Sequence, residues 1–490
     1  MEKTALIELT DNKAILSIYQ TKGGRYKLIR QESDAIAISS DILQEKLLRP
    51  KTISDTVGIL KLYRQVIEEH EVQKITAIAD SLILQARNQR GFFEEIYNNT
   101  GMGFIFLSDE EFVKTLYNAT AQKIDSSKGS IIHVGAYNTF VIKFNRRTTV
   151  GFEKFNIGYE NITGSTFEEI KANAKNVIKI KSLNFEEDEV FIGAGAPFLN
   201  LGRVAKKVEH YSLELDNNYP VSSSLAKKTT DFVASLDMEK IKKVKGLVDD
   251  RAEVLISGLA IVSAIYDNLS AKDIIITSAA LRDGIIAGSI ASDVQERFSD
   301  LLGASYDSIA QFNKEDSSVN LRVANMAGIL FKQLKVMHKL PRSYVKPMRV
   351  AAYMFNSGKA ISFDEHEKHS FYTILNSGLA GVTHKELLLG AFICVNQVSD
   401  NFNLTQWMKY KDMLTDEDLN AVRKLGVIVK LAVALNSGKK LVVTDVVCDI
   451  LGDSIIMKTI VNSDPVYEIM QGMKVAKDYR KFFKKNLQLI

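Results

Sequence analysis

The sequence predicts a duplicated α/β core, then an all-helical unit, then a small α+β tail. Three observations carry that prediction. Two segments of apolar strand, polar turn and apolar strand, at residues 5–16 and 131–144, each open a stretch in which strands alternate with helices. Strand signals stop near residue 300, and helical periodicity takes over. β-branched runs return at residues 441–447 and 454–461, ahead of a basic helical stretch. A chain of 490 residues exceeds one core, so the expected units are 1–124, 125–300, 301–440 and 441–490.

In the first unit, residues 4–8 and 13–19 read as strands. Residues 53–69 read as an amphipathic helix, because Val57, Leu60, Val66 and Ile67 fall on one face. Residues 74–79 form a short strand. A helix over 109–121 follows Ser108, an N-cap with Glu111 at the capping-box position. After a polar connector at 125–129 the pattern restarts, with strands at 130–134 and 139–144. A strand at 189–192 then meets a Gly-Ala-Gly turn at 193–195. A long helix at 251–268, a strand at 273–277 and a segment at 279–288 leading into a helix complete the second half. Two halves that open alike imply a cleft between them.

Helices are expected at 319–338, at 346–355 with Pro347 tolerated in the first turn, and at 369–377, 384–396 and 416–435. No low-complexity stretch and no repeat of 20–50 residues is visible.

Composition narrows the function classes. Hydrophobic content of 46%, charged content of 25% and a net charge of +4 describe an ordinary globular protein and give no general argument for nucleic-acid binding. A single Trp407 and scattered tyrosines offer no base-stacking platform. Cys394 and Cys448 are two distant thiols in apolar surroundings, neither a disulfide framework nor a metal set. No basic-plus-apolar leader opens the chain and no apolar run approaches the roughly 20 residues needed to span a bilayer, so a cytoplasmic protein without membrane contact is expected. There is no G-x-x-x-x-G-K-[ST] loop, no G-x-S-x-G elbow and no C-x-x-C pair.

Three longer stretches carry a resemblance. They are Arg251-Ala-Glu-Val-Leu-Ile-Ser-Gly-Leu-Ala260, Ser278-Ala-Ala-Leu-Arg-Asp-Gly284 and Glu367-Lys-His-Ser-Phe-Tyr-Thr-Ile-Leu-Asn-Ser-Gly378. With them the chain resembles the exopolyphosphatase/guanosine-pentaphosphate phosphatase (Ppx/GppA) family, collinearly over nearly its whole length. The resemblance implies duplicated actin-like (ribonuclease H-like) ATPase-type domains, an HD-like helical domain, a small α+β C-terminal domain and a homodimer. It also implies hydrolysis of terminal phosphoanhydride bonds of inorganic polyphosphate or guanosine pentaphosphate with a divalent cation, usually Mg²⁺. That chemistry needs a phosphate cradle, carboxylates on the metal and a base for the attacking water.

The motifs of that chemistry are altered. The first family loop, D-x-G-S-N-S-x-R, stands here as Glu8-Leu-Thr-Asp-Asn-Lys-Ala-Ile15, keeping a carboxylate at Glu8 and the amide of Asn12. The second, D-x-G-G-G-S-T-E, stands as His133-Val-Gly-Ala-Tyr-Asn-Thr-Phe140, with Gly135 and Thr139 kept and Tyr137 in place of a glycine. The catalytic glutamate of the family aligns with Phe112, one residue after Glu111, and its upstream arginine aligns with Leu84, with Arg87 nearly a turn further on. Neighbouring helix positions point about 100° apart, so Glu111 is no direct replacement for position 112. In the helical domain the metal-binding His-Asp pair aligns with Phe355-Asn356, so no metal site is expected there.

The candidate catalytic residues are therefore Glu111 and Glu8. The candidate phosphate-binding residues are Asn12, Gly135, Asn138, Thr139 and Arg282, against the alternatives of a plain hairpin turn and a structural ion pair at Arg282. Lys474, Lys477, Lys481 and Lys485 form a basic stripe if 474–485 is one helix, suited to a polyanion, against the alternative of a solvated helix face. The first expectation for function is a family member with impaired hydrolysis that binds polyphosphate, a guanosine polyphosphate or a protein partner and regulates that metabolism. The alternatives are an active exopolyphosphatase with displaced residues and a scaffold without an anion site.

Overall fold

The computed structural model describes residues 2–186, 189–241, 243–244, 252–269, 273–290, 300–313, 317–398, 403–438 and 440–490. The first sheet is built from β1 (Glu2–Leu9), β2 (Lys13–Lys22), β3 (Arg25–Ala35) and β4 (Lys74–Ala79), in the order β3-β2-β1-β4. β1 is antiparallel to β2 and parallel to β4, and Ile105 adds a parallel bridge beside Ile78. The second sheet contains β5 (Lys128–Val134), β6 (Thr139–Asn145), β7 (Thr148–Phe155), β8 (Val190–Ala194), β9 (Tyr219–Ser222) and β10 (Asp273–Ile276), in the order β7-β6-β5-β8-β10-β9. Its first four places repeat the first sheet, so the restart in the sequence is a repeat of topology.

Each half has a third strand that the sequence pattern did not announce. β3 and β7 lie at sheet edges, mostly exposed or half-buried, so they need no apolar alternation.

The two halves exchange a helix. Helix Asp109–Ala121, from the first half, packs Val113, Leu116 and Tyr117 on Ile131, Ile142 and Ile192 of the second sheet. Helix Leu281–Ile290, from the second half, places Ile286 against Leu6, Tyr19 and Ile78 of the first. The expected boundary at residue 124 therefore divides the sequence but not the cores.

The remaining chain is helical, chiefly Leu301–Asn313, Ser317–Gln333, Val345–Tyr353, His366–Asn376, His384–Val398 and Asp416–Ala434. The long helix expected at 319–338 ends at Gln333 and resumes as a short turn, Lys335–His338. The tail adds a sheet of β11 (Val443–Leu451), β12 (Ser454–Val461) and β13 (Asn486–Leu489). It carries no core of its own: Val446, Met457, Tyr479 and Leu489 join Phe331, Leu334 and Leu431 in one apolar cluster. Arg251, which opens one motif of the resemblance, lies outside the described residues, and the helix there runs Ala252–Leu269. Among the described residues no helix is long and apolar enough to cross a membrane.

Within the basic stretch 474–485 only Ala476–Phe483 is helical, and a separate helix, Val466–Met473, precedes it. This corrects the single stripe. Val475 turns into the core between them, and Lys484 adopts a left-handed conformation (φ 57°) that ends the second. Lys477 and Lys481 share a helical face, Lys474 caps the preceding helix, and Lys485 lies beyond the last turn, donating to the Gly452 carbonyl.

Candidate functional site

The β1–β2 turn and the β5–β6 turn meet across the cleft between the two sheets, at the carboxyl ends of β1 and β5, where ligands of such folds bind. The first turn is closed on itself. Thr10 N–H donates to the Lys13 carbonyl at 2.8 Å, and Lys13 N–H donates to Thr10 Oγ1 at 2.9 Å. In the second, Gly135 N–H donates to the Asn138 carbonyl at 2.9 Å. Segment 158–161 braces that turn from behind, with Tyr159 N–H on the Gly135 carbonyl at 3.2 Å and Glu160 N–H on the Ala136 carbonyl at 2.9 Å. A Cβ on Gly158 would stand 2.3 Å from the Gly135 oxygen, so only glycine permits this approach.

Between the turns lies a cavity of about 170 Å³, walled by Glu8, Thr10, Asp80 and Phe112 from the first half and by His133, Asn138 and Phe140 from the second. One wall is aromatic. The Phe112 and Phe140 rings stack with centroids 4.7 Å apart, and the His133 ring meets Phe112 edge-on at 5.3 Å. Lys154 lies 5.6 Å from the Phe140 centroid and pairs with Asp109 at 2.7 Å. Burial lowers the His133 pKa to about 4, so the imidazole is neutral at pH 7, and its Nδ1 is buried with no hydrogen-bond partner.

The opposite wall is acidic. Burial raises the Glu8 pKa against the opposing influence of Arg282, whose Nη1 stands 3.6 Å from Glu8 Oε2, and Asp283 raises it further. Burial also raises Asp80, whose carboxylate caps Leu82 N–H at 2.7 Å while its own N–H donates to the Leu9 carbonyl.

Of the residues expected at the site, Glu8, Gly135 and Asn138 line the cavity. Glu111 does not. Its exposed carboxylate accepts from Ser108 N–H at 2.8 Å in the capping box, which holds its pKa below the ordinary glutamate value. Asn12 stays in the first turn, its carbonyl accepting from Ile36 N–H at 2.9 Å. Thr139 is buried, its hydroxyl donating to the Ile157 carbonyl at 2.8 Å. Arg282 faces Glu8 in the structural pairing.

The donors present do not fit Mg²⁺. Mg²⁺ takes oxygen ligands in near-octahedral geometry. Of the four aligned carboxylate positions only Glu8 keeps a carboxylate, while 112, 133 and 140 offer two phenyl rings and an imidazole, and among the described residues no three His, Cys, Asp or Glu side chains gather as a ligand set. In the helical unit, Asn320 Nδ2 donates to the Tyr353 carbonyl at 2.8 Å and to Asn356 Oδ1 at 3.0 Å beside the buried Phe355.

Asp80 and Lys154 were missed by sequence reasoning. Asp80 had a signal, since it directly follows a strand parallel to β1 and so sits at the ligand end of the sheet. Lys154 had none, because β7 was not anticipated.

Comparison with known proteins places these observations in a family. Residues 17–293 match the Ppx/GppA phosphatase family, and residues 304–463 match Ppx/GppA phosphatase, domain III. The chain is 24% identical over 405 residues to a guanosine-5'-triphosphate,3'-diphosphate pyrophosphatase of Pseudoalteromonas translucida, covering 78% of each chain. It is 22% identical over 417 residues to the protein of that description from Aeromonas salmonicida, covering 82% of this chain and 81% of the other. Among solved structures, the Aquifex aeolicus Ppx/GppA family member aligns with a TM-score of 0.51 at 19% identity, over 59% of this chain and 97% of its own. An exopolyphosphatase from Cytophaga hutchinsonii aligns with a TM-score of 0.53 at 14% identity, over 59% of this chain and 98% of its own. These neighbours share an actin-like fold with the two sheets described above.

Proposed function

The chain belongs to the Ppx/GppA phosphatase family, and from that premise we propose that it acts in polyphosphate or guanosine-polyphosphate metabolism by binding and regulation, with hydrolysis impaired. The observation that carries this reading is the aromatic wall of Phe112, Phe140 and His133. Phenyl rings can neither accept a proton from water nor ligate a cation, and an imidazole held neutral by burial adds no charge to stabilise a leaving phosphate. Groups of these kinds contribute on the order of 10² or more each to a rate. The candidate phosphate contacts are also internally engaged: Gly135 N–H, the Thr139 hydroxyl and Arg282 each have a partner within the protein.

The decisive measurement is phosphate release from long-chain polyphosphate and from guanosine pentaphosphate, with Mg²⁺ present. Release at background level is expected. Turnover above about 1 s⁻¹, within the ordinary enzyme range, would overturn the reading.

A second reading, hydrolysis by displaced residues, is favoured by Glu8 alone. It lines the cavity, and burial makes it a more basic carboxylate than usual. Turnover lost in Glu8→Gln but kept in Glu111→Gln would establish it. The resemblance also supports a homodimer and an HD-like ancestry for the helical unit, and Lys477 and Lys481 remain the proposed contacts for a polyanion.

A further inference from the structure

Tyr137 stands at the tip of the β5–β6 turn, in the second half, yet its ring packs against the core of the first half, the cluster that contains Leu9, Ala14, Ile38 and Ala79. The hydroxyl enters the same region: burial and the charges of Asp11 and Glu160 push the phenol pKa up, Asp80 adds to the rise, and the neighbouring Ser39 acts in the opposite direction. Asp11 sits in the first turn, Ser39 in helix Ile38–Glu45, and Asp80 just after β4, so three separate pieces of the opposite lobe influence the phenol, whose oxygen is buried with no hydrogen-bond partner among the described residues. No other hydrophobic side chain of the second half is packed against that cluster among the described residues.

The mounting of this side chain is stiff. Asn161 Nδ2 donates to the Tyr137 carbonyl at 3.2 Å, and Asn161 Oδ1 accepts from Gly158 N–H at 2.7 Å. Glu160 N–H holds the neighbouring Ala136 carbonyl at 2.9 Å, and the close approach of Gly158 to the Gly135 and Ala136 oxygens removes space for the turn to retreat. The receiving side is equally tied, with Ser39 N–H on the Asp11 carbonyl at 2.8 Å and Ile36 N–H on the Asn12 carbonyl at 2.9 Å.

We propose that Tyr137 is a built-in clasp: it bridges the two turns, holds the lobes closed across the cleft, and must be displaced before any ligand can pass between them. Such a clasp governs access and lobe closure whether or not the site hydrolyses its ligand. A cleft closed by its own side chain opens only in a minor population, and anything that binds the open form must first offset the free energy of undoing the clasp. The clasp makes the site conditional, since a ligand or partner that favours the open form would shift the whole protein toward it.

Hydrogen exchange of the full chain tests this. In Tyr137→Gly, amides of residues 9–13 and 36–41 are expected to exchange at least about 10-fold faster than in the wild type, while Tyr137→Phe, which keeps the ring, stays near the wild-type rate. Wild-type exchange in both segments of a Tyr137→Gly protein with unchanged circular dichroism would overturn the clasp. If the glycine variant does not fold, Tyr137→Leu serves instead: the ring is lost and an apolar side chain is kept, so faster exchange supports the clasp and an unchanged rate rejects it. Small-angle scattering gives a second readout, with a larger radius of gyration expected when the clasp is gone.

Discussion

A Cβ placed on Gly284 would stand 2.0 Å from the carbonyl oxygen of Thr115. This is where the two exchanged helices cross, directly behind the cleft, and it is the closest backbone approach between the halves among the glycines described. Gly288 lies one turn further along the same helix, and a methyl group added there would meet nothing within 4 Å. The pair gives an internal control. Gly284→Ala forces the helices apart and is expected to cost about 1–3 kcal/mol, the range for overpacking, lowering the thermal midpoint by several degrees. Gly288→Ala is expected to be neutral or stabilising by up to about 1 kcal/mol through helix propensity. Equal midpoints for the two variants in differential scanning calorimetry would show that the crossing is not tight.

The aromatic wall yields a second expectation. Phe112 is half-buried and touches both Phe140 and His133, so Phe112→Ala is expected to lose about 2 kcal/mol, below the usual range for a fully buried phenylalanine. The stacked pair adds coupling, and a double-mutant cycle with Phe140→Ala is expected to show about 1 kcal/mol of non-additivity. Phe112→Glu restores the aligned carboxylate but places it against two rings, where the cation of the same wall, Lys154, is already paired with Asp109, so it is expected to destabilise at least as much and to release no phosphate. Urea unfolding and the phosphate assay check both halves of that statement. Robust turnover in Phe112→Glu would mean that this single position separates the present site from a working hydrolase.

The replacements at 112, 133 and 140 were legible one at a time, but nothing in the sequence shows that they touch. Spacings of 21 and 7 residues carry no contact information until the strand order and helix exchange are known. The duplication was readable because apolar strand pairs bounded by polar turns survive in both halves. β3 and β7 were not readable because edge strands with exposed faces lack alternation. The capping box at Ser108 and Glu111 was predicted and found, and its completeness is what removes Glu111 from the cavity: one carboxylate cannot cap the helix and face the cleft. The clasp was the least visible, because Tyr137 reads as a bulky substitute in a glycine loop until the opposite lobe is in place. The tail read as a separate unit because its β-branched runs differ from the preceding helices, although their cores are one.

His384 makes the joint between the helical unit and the second lobe sensitive to acid. Its Nε2 is 2.8 Å from the Asn217 carbonyl and its Nδ1 is 3.0 Å from the Tyr211 hydroxyl. The neutral imidazole satisfies both bonds, with Nε2–H donating and Nδ1 accepting, whereas the protonated ring has no acceptor left for Tyr211. Burial is the main cause that lowers its pKa to about 4 from the ordinary 6.5. The folded-state value lies below the unfolded one, so the unfolded chain takes up the proton first. This contribution is fully present above pH 6.5 and is lost as pH falls toward 4. The loss amounts to about 2–3 kcal/mol for this residue. The urea midpoint is expected to fall between about pH 7.5 and 4.5, and His384→Gln is expected to fall less over the same interval. Parallel declines in the two proteins would place the acid sensitivity elsewhere, for instance at His133, whose pKa is lowered by burial in the same direction.

Lys477 and Lys481 project from one face of helix Ala476–Phe483, both exposed, with exposed Arg480 and Lys484 nearby. The single acid of that helix, Asp478, is already paired with Lys430 at 2.7 Å, so it does not neutralise the face. A flexible polyanion binds such a face mainly by releasing its counterions, and removing one lysine–phosphate pairing lowers the salt slope by about 0.7–0.9. Long-chain polyphosphate binding, followed by fluorescence anisotropy over a range of NaCl concentrations, is therefore expected to lose about 1.5 units of slope in the double variant Lys477→Gln/Lys481→Gln. Lys474→Gln is expected to matter less, because that side chain already donates to Gln471 at 3.0 Å and sits outside the helix. Lys61→Gln, an exposed lysine of the first half, serves as the control for net charge alone. If the control and the double variant change the slope equally per lysine removed, the attraction is a property of the whole surface and the C-terminal face has no special part in it. If the double variant alone flattens the slope, the polyanion contacts this helix, on the packed helical and C-terminal unit rather than at the closed cleft.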